Sequence, residues 1–443
     1  MFLFYPKVKS VALQNIRTDL VGSTSALPSY DAIVCTQLER VTARNARGEM
    51  IDSGKAGIDD DRVIQSALDN LIEGGILLIA AGRYILGTTL TINKARTIVT
   101  GQGESTIITP GIDTHAFIPE APSITIEDLY VLHRTTGVGR GVYALNAVSG
   151  LTVRNCRFEN CYHAIATVNN CNAVTIEKNF IVSCGRADGA ILLANSSGKL
   201  AKKACIKCNT ILTSANHGIQ VYCSGKSGQN WEDVQVLDNI IDTPRAAGIF
   251  ISNSVNVRIS NNKVHSNGSE GIDWEYCSNV MVNNNEVRDS TLQAFSCFDL
   301  TSIGGGSNSD VTVTNNKSSQ ALTSTSKAIY MEAVGNLIVH GNTVETYADG
   351  IYLIGNQTNS VISDNILVKK SQVGNIGINI DLGKGKAGNN ILIRSNKVEG
   401  FAIGISFGSG SISHVITDTN DLQHCTTLIH TTVKPSNWTR RIN

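Results

Sequence analysis

Ten asparagines recur along this chain in one local setting: Asn179, Asn209, Asn239, Asn262, Asn285, Asn316, Asn342, Asn365, Asn396 and Asn420. Each is preceded three residues earlier by Val or Ile, except for Thr417, and followed two residues later by Ile, Val or Leu, except for Ser318. The intervals run from 23 to 31 residues, and a period of that size marks a stacked-repeat architecture. One unit, residues 257–277, reads as three short strands. Val257-Arg-Ile-Ser alternates apolar and polar residues, Asn261-Asn262 turns the chain, Val264 starts a second strand, and Ile272-Asp-Trp-Glu-Tyr alternates again. Nothing in the unit has helical spacing. The fold expected is all-β: a parallel β-helix with three strands per coil, right-handed by the crossover rule, with roughly ten to twelve coils between about residues 124 and 420. Stacked coils lie about 4.8 Å apart, so each asparagine sits over the next and their amides bond along the stack. Cys156 takes the equivalent place one coil earlier. This column is architectural and supplies no ligands. A glycine before the third strand recurs as Gly189, Gly218, Gly248, Gly271, Gly350, Gly377 and Gly404, with Ala294 and Ala328 as substitutes. The expected reason is a sharp corner with positive φ.

Of 443 residues, 42% are hydrophobic and 17% charged, and the 37 basic and 37 acidic side chains cancel. That balance gives no electrostatic case for nucleic acid or an anionic membrane surface. No run reaches the ~18 apolar residues of a membrane span. The opening Met1-Phe-Leu-Phe-Tyr-Pro6 is too short for a signal-peptide core, so folding in a cytoplasm is expected. The eleven cysteines are dispersed and mostly have aliphatic neighbours, as Cys223 and Cys297 do; they read as reduced thiols used as small hydrophobes. Cys205-Ile-Lys-Cys208 has metal-knuckle spacing but no second pair follows it, so neither a metal nor a cofactor is expected.

Residues 1–50 show no repeat and read as an arm or adapter. Residues 51–118 form a cap on the β-helix. Asp60-Asp61 caps a helix with apolar residues at Val63, Ile64, Ala67, Leu68 and Leu71, Gly74-Gly75 stops it, and the first strands follow. A helix here covers the open first coil, whose strand edge is otherwise free to pair. Residues 119–422 are the glycan-binding β-helix, and 423–443 a short polar tail. The segments Asp60-Asp61-x-x-Ile64-Gln65-x-Ala67-Leu68, Gly74-Gly75-Ile76-x-x-Ile79-x-Ala81-Gly82-x-Tyr84 and Gly101-x-Gly103 together resemble the opening of the pectate-lyase-like β-helix superfamily, common in bacteriophage tailspikes and depolymerases. Ala80 stands where that pattern has Pro, and Lys55-Ala-Gly-Ile replaces its glycine-rich lead-in. The resemblance implies lyase, hydrolase or epimerase activity on a polysaccharide and, for phage members, a homotrimer. It carries over no catalytic motif.

Chemistry is expected on the outer face of the third strands, where alternate residues form two vertical columns. One holds Phe250, Asp273, Tyr330 and Tyr352; the next holds Tyr222, Glu275, Phe298, Glu332 and Asp381. Aromatic faces stack on sugar rings, and acids move protons. Asp273 and Glu275 are about 6.5–7 Å apart along a strand, and Glu275 and Glu332 about 9.6 Å across two coils. Both separations fit the roughly 6.5–9.5 Å of an inverting carboxyl pair. Asp273, Glu275 and Glu332 are therefore the expected catalytic acids, and the aromatics with Asp381 the substrate contacts. Residues 194–204, 224–233 and 301–310 insert after the third strand and frame this face, with Trp231 as a rim residue for sugar stacking. Asp188, His217, Glu270 and Asp349 precede the corner glycines as a second polar edge. No basic cluster stands on the acid columns, which ranks a lyase below a hydrolase. The function expected is that of a tailspike-like protein of the virion tail. It acts outside the cell on a host capsule or O-antigen polysaccharide, and attaches to a tail or adapter protein through residues 1–50. A non-enzymatic receptor-binding fibre and a free lyase or epimerase are the alternatives. Ile191, Leu193 and Ile354, read as outward apolars, favour self-association.

Overall fold

The computed structural model describes residues 29–440, apart from 135–136, 146, 223–229, 299–307, 323 and 372–374. Most of the adapter reading (1–28) and parts of two inserted loops (224–229 and 301–307) thus lie outside the described residues.

Three parallel sheets wind around one apolar interior. The sheet made of the longest strands has 18, and the second and third sheets, built from the second and third strands of each coil, have 14 each. The repeat containing Ser254–Ser260, Lys263–His265 and Ile272–Glu275 is built as its alternation predicts. Val257, Ile259, Val264, Ile272 and Trp274 point inward and are buried. Burying an aliphatic side chain of this size is worth about 1.5–3 kcal/mol, available only because the coils above and below complete the enclosure.

The asparagine column is a continuous ladder. From Asn179 to Asn420, each Nδ2 donates to the next Oδ1 at 2.9–3.0 Å. The same Oδ1 accepts the backbone N–H of the asparagine below at 2.8–3.1 Å. Cys156 closes the lower end by donating its N–H to Asn179 Oδ1 at 3.0 Å. Left-handed backbone falls on the residue before each ladder asparagine, as at Asn261 (φ 58) and Asp364 (φ 57).

The corner glycines are required for another reason than the one expected. None of those before the third strand has positive φ; an added Cβ at Gly248 comes within 2.2 Å of Val264, and one at Gly271 within 2.3 Å of Val287. These corners need glycine because the chain turns against a neighbouring strand. Ala294 stands where Ser318 succeeds Val287 in the stack. A second asparagine ladder, absent from the sequence reading, runs up the outside of the long-strand sheet. Asn279 donates to Asn256, Asn359 to Asn336, and Asn390 to Asn359, at 2.8–3.0 Å. Each of these residues takes the left-handed conformation in mid-strand.

Both ends differ from expectation. Residues assigned to the arm form an antiparallel meander, Ala32–Gln37, Arg40–Asn45 and Met50–Lys55, whose first strand extends the long-strand sheet through Ile76–Ile79. The helix Asp60–Asn70 buries Val63, Ile64, Ala67 and Leu68. Its acids are ties to the first coil and not caps: Asp60 accepts the Ile85 N–H and Asp61 the Thr88 N–H, both at 2.7 Å. The first coil begins at Ile76, earlier than the repeat alone suggested, because it has no ladder asparagine to mark it. At the other end, Thr427–Thr431 and Ser436–Arg440 continue the stack past residue 422, with Trp438 packed 5.6 Å from Phe407.

Candidate active site

The outer face of the third sheet carries the chemistry, and register fixes who meets whom. Phe250 pairs with Asp273, Asp273 with Ser296, Ser296 with Tyr330, and Tyr330 with Tyr352. In the next column Ser252 pairs with Glu275, and Glu275 with Phe298. Lower in the stack one correction is needed. Ala190, not Gly189, occupies the corner, so Ile191 and Leu193 turn inward and are fully buried, while Leu192 and Ala194 take the outward places. The extension of the column downward reaches Tyr143, which pairs with Ala166.

The acids are bracketed by rings. Below, His217 stacks on Phe250 with centroids 5.3 Å apart. Above, Phe298 meets Tyr330 at 4.9 Å and Tyr330 meets Tyr352 at 5.8 Å. That spacing follows from the coil rise, which presents rings at about 4.8 Å intervals.

Asp273 is covered, with 4% of its surface exposed, which departs from its reading as an outward acid open to substrate. The bulk of Phe250 on the adjoining rung and the side chain of Ser296 above account for the cover; Ser296 Oγ donates to Asp273 Oδ1 at 2.7 Å. Burial, followed by the charges of Glu275 and Glu270, raises its carboxyl well above the usual range. Glu275 is half-buried and is pushed up to about 7, first by burial and then by the charge of Glu270. Glu270, placed by sequence only on a second polar edge, is therefore the third member of the cluster. Its corner position hid the relation, since it precedes Gly271 and reaches the sheet from the side. It accepts a short hydrogen bond from Ser269.

Glu332 stands apart from this trio. It accepts Tyr330 Oη at 3.3 Å and is not among the groups that shift Asp273 or Glu275. Asp381 accepts the Ser409 N–H and Oγ at 2.8 and 2.6 Å, which holds its carboxyl below the ordinary range. Burial, then the charges of Asp381 and Asp349, pushes the Tyr352 phenol up to about 12. Lys327 Nζ lies 5.1 Å from the Tyr352 ring centroid, so a cation does reach the column. That ring is three coils above the Asp273 rung, about 14 Å at the sheet spacing. His217 is half-buried, and desolvation lowers its imidazole to about 4, which leaves it neutral at neutral pH. Tyr222 sits over Ala194, half-buried, below the Glu275 column.

Trp231 is not a rim residue. It opens the strand Trp231–Leu237, is fully buried, and lies between Ala201 and Ser254 on adjoining rungs. Those two small neighbours leave room inside the coil for the indole. Among the described residues, no group of three or more His, Cys, Asp or Glu is arranged to hold a metal ion, and the ten described cysteines form no disulfide. No helix among the described residues is long and apolar enough to cross a membrane.

A family model described as "Right handed beta helix region" matches residues 187–327, the stretch that holds the acid cluster. With the three parallel sheets, this makes the fold a right-handed parallel β-helix. No curated protein matches the sequence. Among solved structures, the chain is similar to PfbA, a surface adhesin of Streptococcus pneumoniae, at 14% identity and a TM-score of 0.48, over 84% of this chain and 90% of that one. It is also similar to the A-module of the mannuronan C-5 epimerase AlgE4 of Azotobacter vinelandii, at 13% identity and a TM-score of 0.40, over 86% and 97%. A third similarity is to the DFA-IIIase of Arthrobacter chlorophenolicus A6, at 14% identity and a TM-score of 0.47, over 72% and 83%.

Proposed function

We propose that this protein binds a polysaccharide along the outer face of its third sheet and hydrolyses it at the carboxyl trio. The observation that carries the reading is the crowding of Glu270, Asp273 and Glu275 between two sets of stacked rings, with Glu275 raised to about 7. A carboxyl that holds its proton near neutral pH is what a general acid needs to protonate a leaving glycosidic oxygen. Glu275 takes that role. Glu270, half-exposed at the corner, is the partner that activates water. Asp273 is too covered to touch substrate; held by Ser296, it is a positioning residue that keeps the pair in a low-dielectric setting. With one carboxyl as acid and the other activating water, the mechanism is an inverting one. The rings of Phe298, Tyr330 and Tyr352 form a platform for successive sugars. Glu332 and Asp381, at its edge, accept sugar hydroxyls.

Within this reading the protein is of the phage tailspike type. It attaches to the tail through its N-terminal residues 1–50, works as a homotrimer, and attacks a capsule or O-antigen polysaccharide. The buried Ile191 and Leu193 lend no support to a trimer. What supports one is an apolar line on the long-strand sheet that includes Met281, Ile338 and Ile416, each more than 40% exposed. A receptor-binding role without cleavage is favoured by one observation, that the ring platform is complete without the acids.

The test is release of reducing ends from purified capsule or lipopolysaccharide. Glu275→Gln is expected to lower the rate at least ~100-fold, while binding stays within about threefold. An unchanged rate overturns the assignment. Unsaturated products absorbing in the ultraviolet point to a lyase, and no products from any polymer point to binding alone.

A further inference from the structure

Two arginines on this molecule each lie close to two aromatic rings, and they differ in what meets their N–H groups. Arg157 lies 4.9 Å from the Tyr130 ring and 5.2 Å from Phe180. Its guanidinium is paired with Glu104 at 3.3 Å and Glu159 at 3.1 Å. Arg140 lies 4.2 Å from the Tyr143 ring and 5.1 Å from Tyr162. Among the described residues its guanidinium makes no hydrogen bond or ion pair, and its Nε is shielded from solvent with no partner. Asp188 is near enough to sense the charge of Arg140, yet forms no ion pair with it.

The surroundings are built and not incidental. Arg140 donates its backbone N–H to His115 Nδ1 at 3.2 Å, which fixes the proton of neutral His115 on Nε2 and leaves a second N–H donor in the cluster. His115 in turn packs edge-on against Tyr143 at 4.9 Å, and Tyr162 against His163 at 4.7 Å. Two rings lie close to the guanidinium, and its N–H edge, unpaired among the described residues, is what remains to meet a ligand. That edge is a fork matched to a planar, two-oxygen anion. Tyr143 stands in the same outward column as Asp273, five rungs below it and so about 24 Å away at the sheet spacing.

We propose that Arg140, beside Tyr143 and Tyr162, is a subsite for a sugar-borne carboxylate, and that the substrate is an acidic polysaccharide containing a uronic acid. This rests on the third sheet being the glycan surface. A chain lying along the column places one uronate in the Arg140 fork while a bond several sugars away lies at Glu275. The flanking tyrosine rings present apolar area to the sugar ring that carries the carboxylate.

The test is an NMR titration of the full chain with four small probes: methyl glucuronoside, methyl glucoside, glucose 6-phosphate and glucose 6-sulfate. The wild type is expected to bind methyl glucuronoside at least tenfold more tightly than methyl glucoside. Arg140→Gln removes that preference. Arg140→Lys, which keeps the charge but loses the fork, retains about threefold or less. Glu275→Gln leaves the preference unchanged. A thermal melt confirms that each variant is folded, and Arg140→Lys decides the matter if Arg140→Gln is not. Equal affinity for the acidic and neutral glycosides in the wild type overturns the proposal, as does a preference that survives in Arg140→Gln. Tighter binding of the phosphate or sulfate probe overturns the carboxylate assignment. Failure of the hydrolase reading gives a different result: no reducing ends from any polymer, with the glucuronoside preference intact.

Discussion

The inner asparagine ladder and the outer columns of the third sheet use the same stacking register for opposite ends. In the ladder, one residue type repeats, each amide answers the next, and every member is buried and satisfied. In the outer columns the residue changes on most rungs, Tyr330 under Tyr352 being an exception, and neighbouring acidic charges raise the proton affinity of Asp273 and Glu275. Uniform rungs hold the fold; unlike rungs are where the chain departs from its own repeat and chemistry becomes available. A repeat protein can therefore be read by subtraction, since what breaks the pattern without breaking the stack is a candidate for function.

Four substitutions press on that contrast. The largest effect is expected at Trp231, which belongs with the interior. Trp231→Ala empties a sealed space between Ala201 and Ser254 and should destabilise by about 3–5 kcal/mol, read as a lowered denaturant midpoint. A surface residue at that place would shift the midpoint hardly at all. Next comes the ladder itself. Asn285→Ala leaves the Nδ2 and backbone N–H of Asn262 without their acceptor, at a loss of about 2–4 kcal/mol in the same measurement. Were it harmless, the amide chain would not be what orders the coils.

The third-sheet acid should behave in the opposite sense. Its folded pKa of about 7 lies above its ordinary 4.5, so the stability associated with its protonated form is full below pH 4.5 and lost as the pH rises toward 7. Glu275→Gln removes that penalty. It should stabilise by at most about 3 kcal/mol at pH 8 and by almost nothing at pH 4, as followed by thermal melts at the two pH values. Equal shifts at both would mean an ordinary surface glutamate. The smallest effect belongs to the outer asparagine ladder. Asn336→Ala on the exposed face should cost about 1 kcal/mol, because water replaces the bonds it loses and only the poorer fit of alanine to the left-handed backbone remains.

The inner ladder, the three-strand coil and the third-sheet face were legible from sequence because each depends on spacing. Period and alternation fix which residues superpose, and Phe250, Asp273 and Tyr330 do share a column. What spacing does not carry is volume and reach. Trp231 has the composition of a rim residue, but its two small neighbours in the stack, 23 and 30 residues away, make room for it inside. Asp273 points outward as alternation requires, and the ring on the rung below covers it. Glu270 lies off the strand at a corner, and only the path of the chain through Gly271 brings it to the acids. The slip at Ile191 came from taking Gly189 for the corner when Ala190 fills it, and a one-residue shift exchanges inside for outside. The ends escaped notice for a related reason. The first coil and the strands after residue 422 carry no ladder asparagine, so the repeat fades from the sequence before it ends in space.

The central claim is that the third sheet holds a carboxyl kept protonated near neutral pH by burial and by its acidic neighbours. Titration of the side-chain carboxyl carbon of Glu275, in selectively labelled protein with Glu275→Gln as the assignment control, tests it directly. The account predicts a midpoint near 7 that falls when Glu270 is replaced by Gln. A midpoint close to 4.5, indifferent to Glu270, would contradict it.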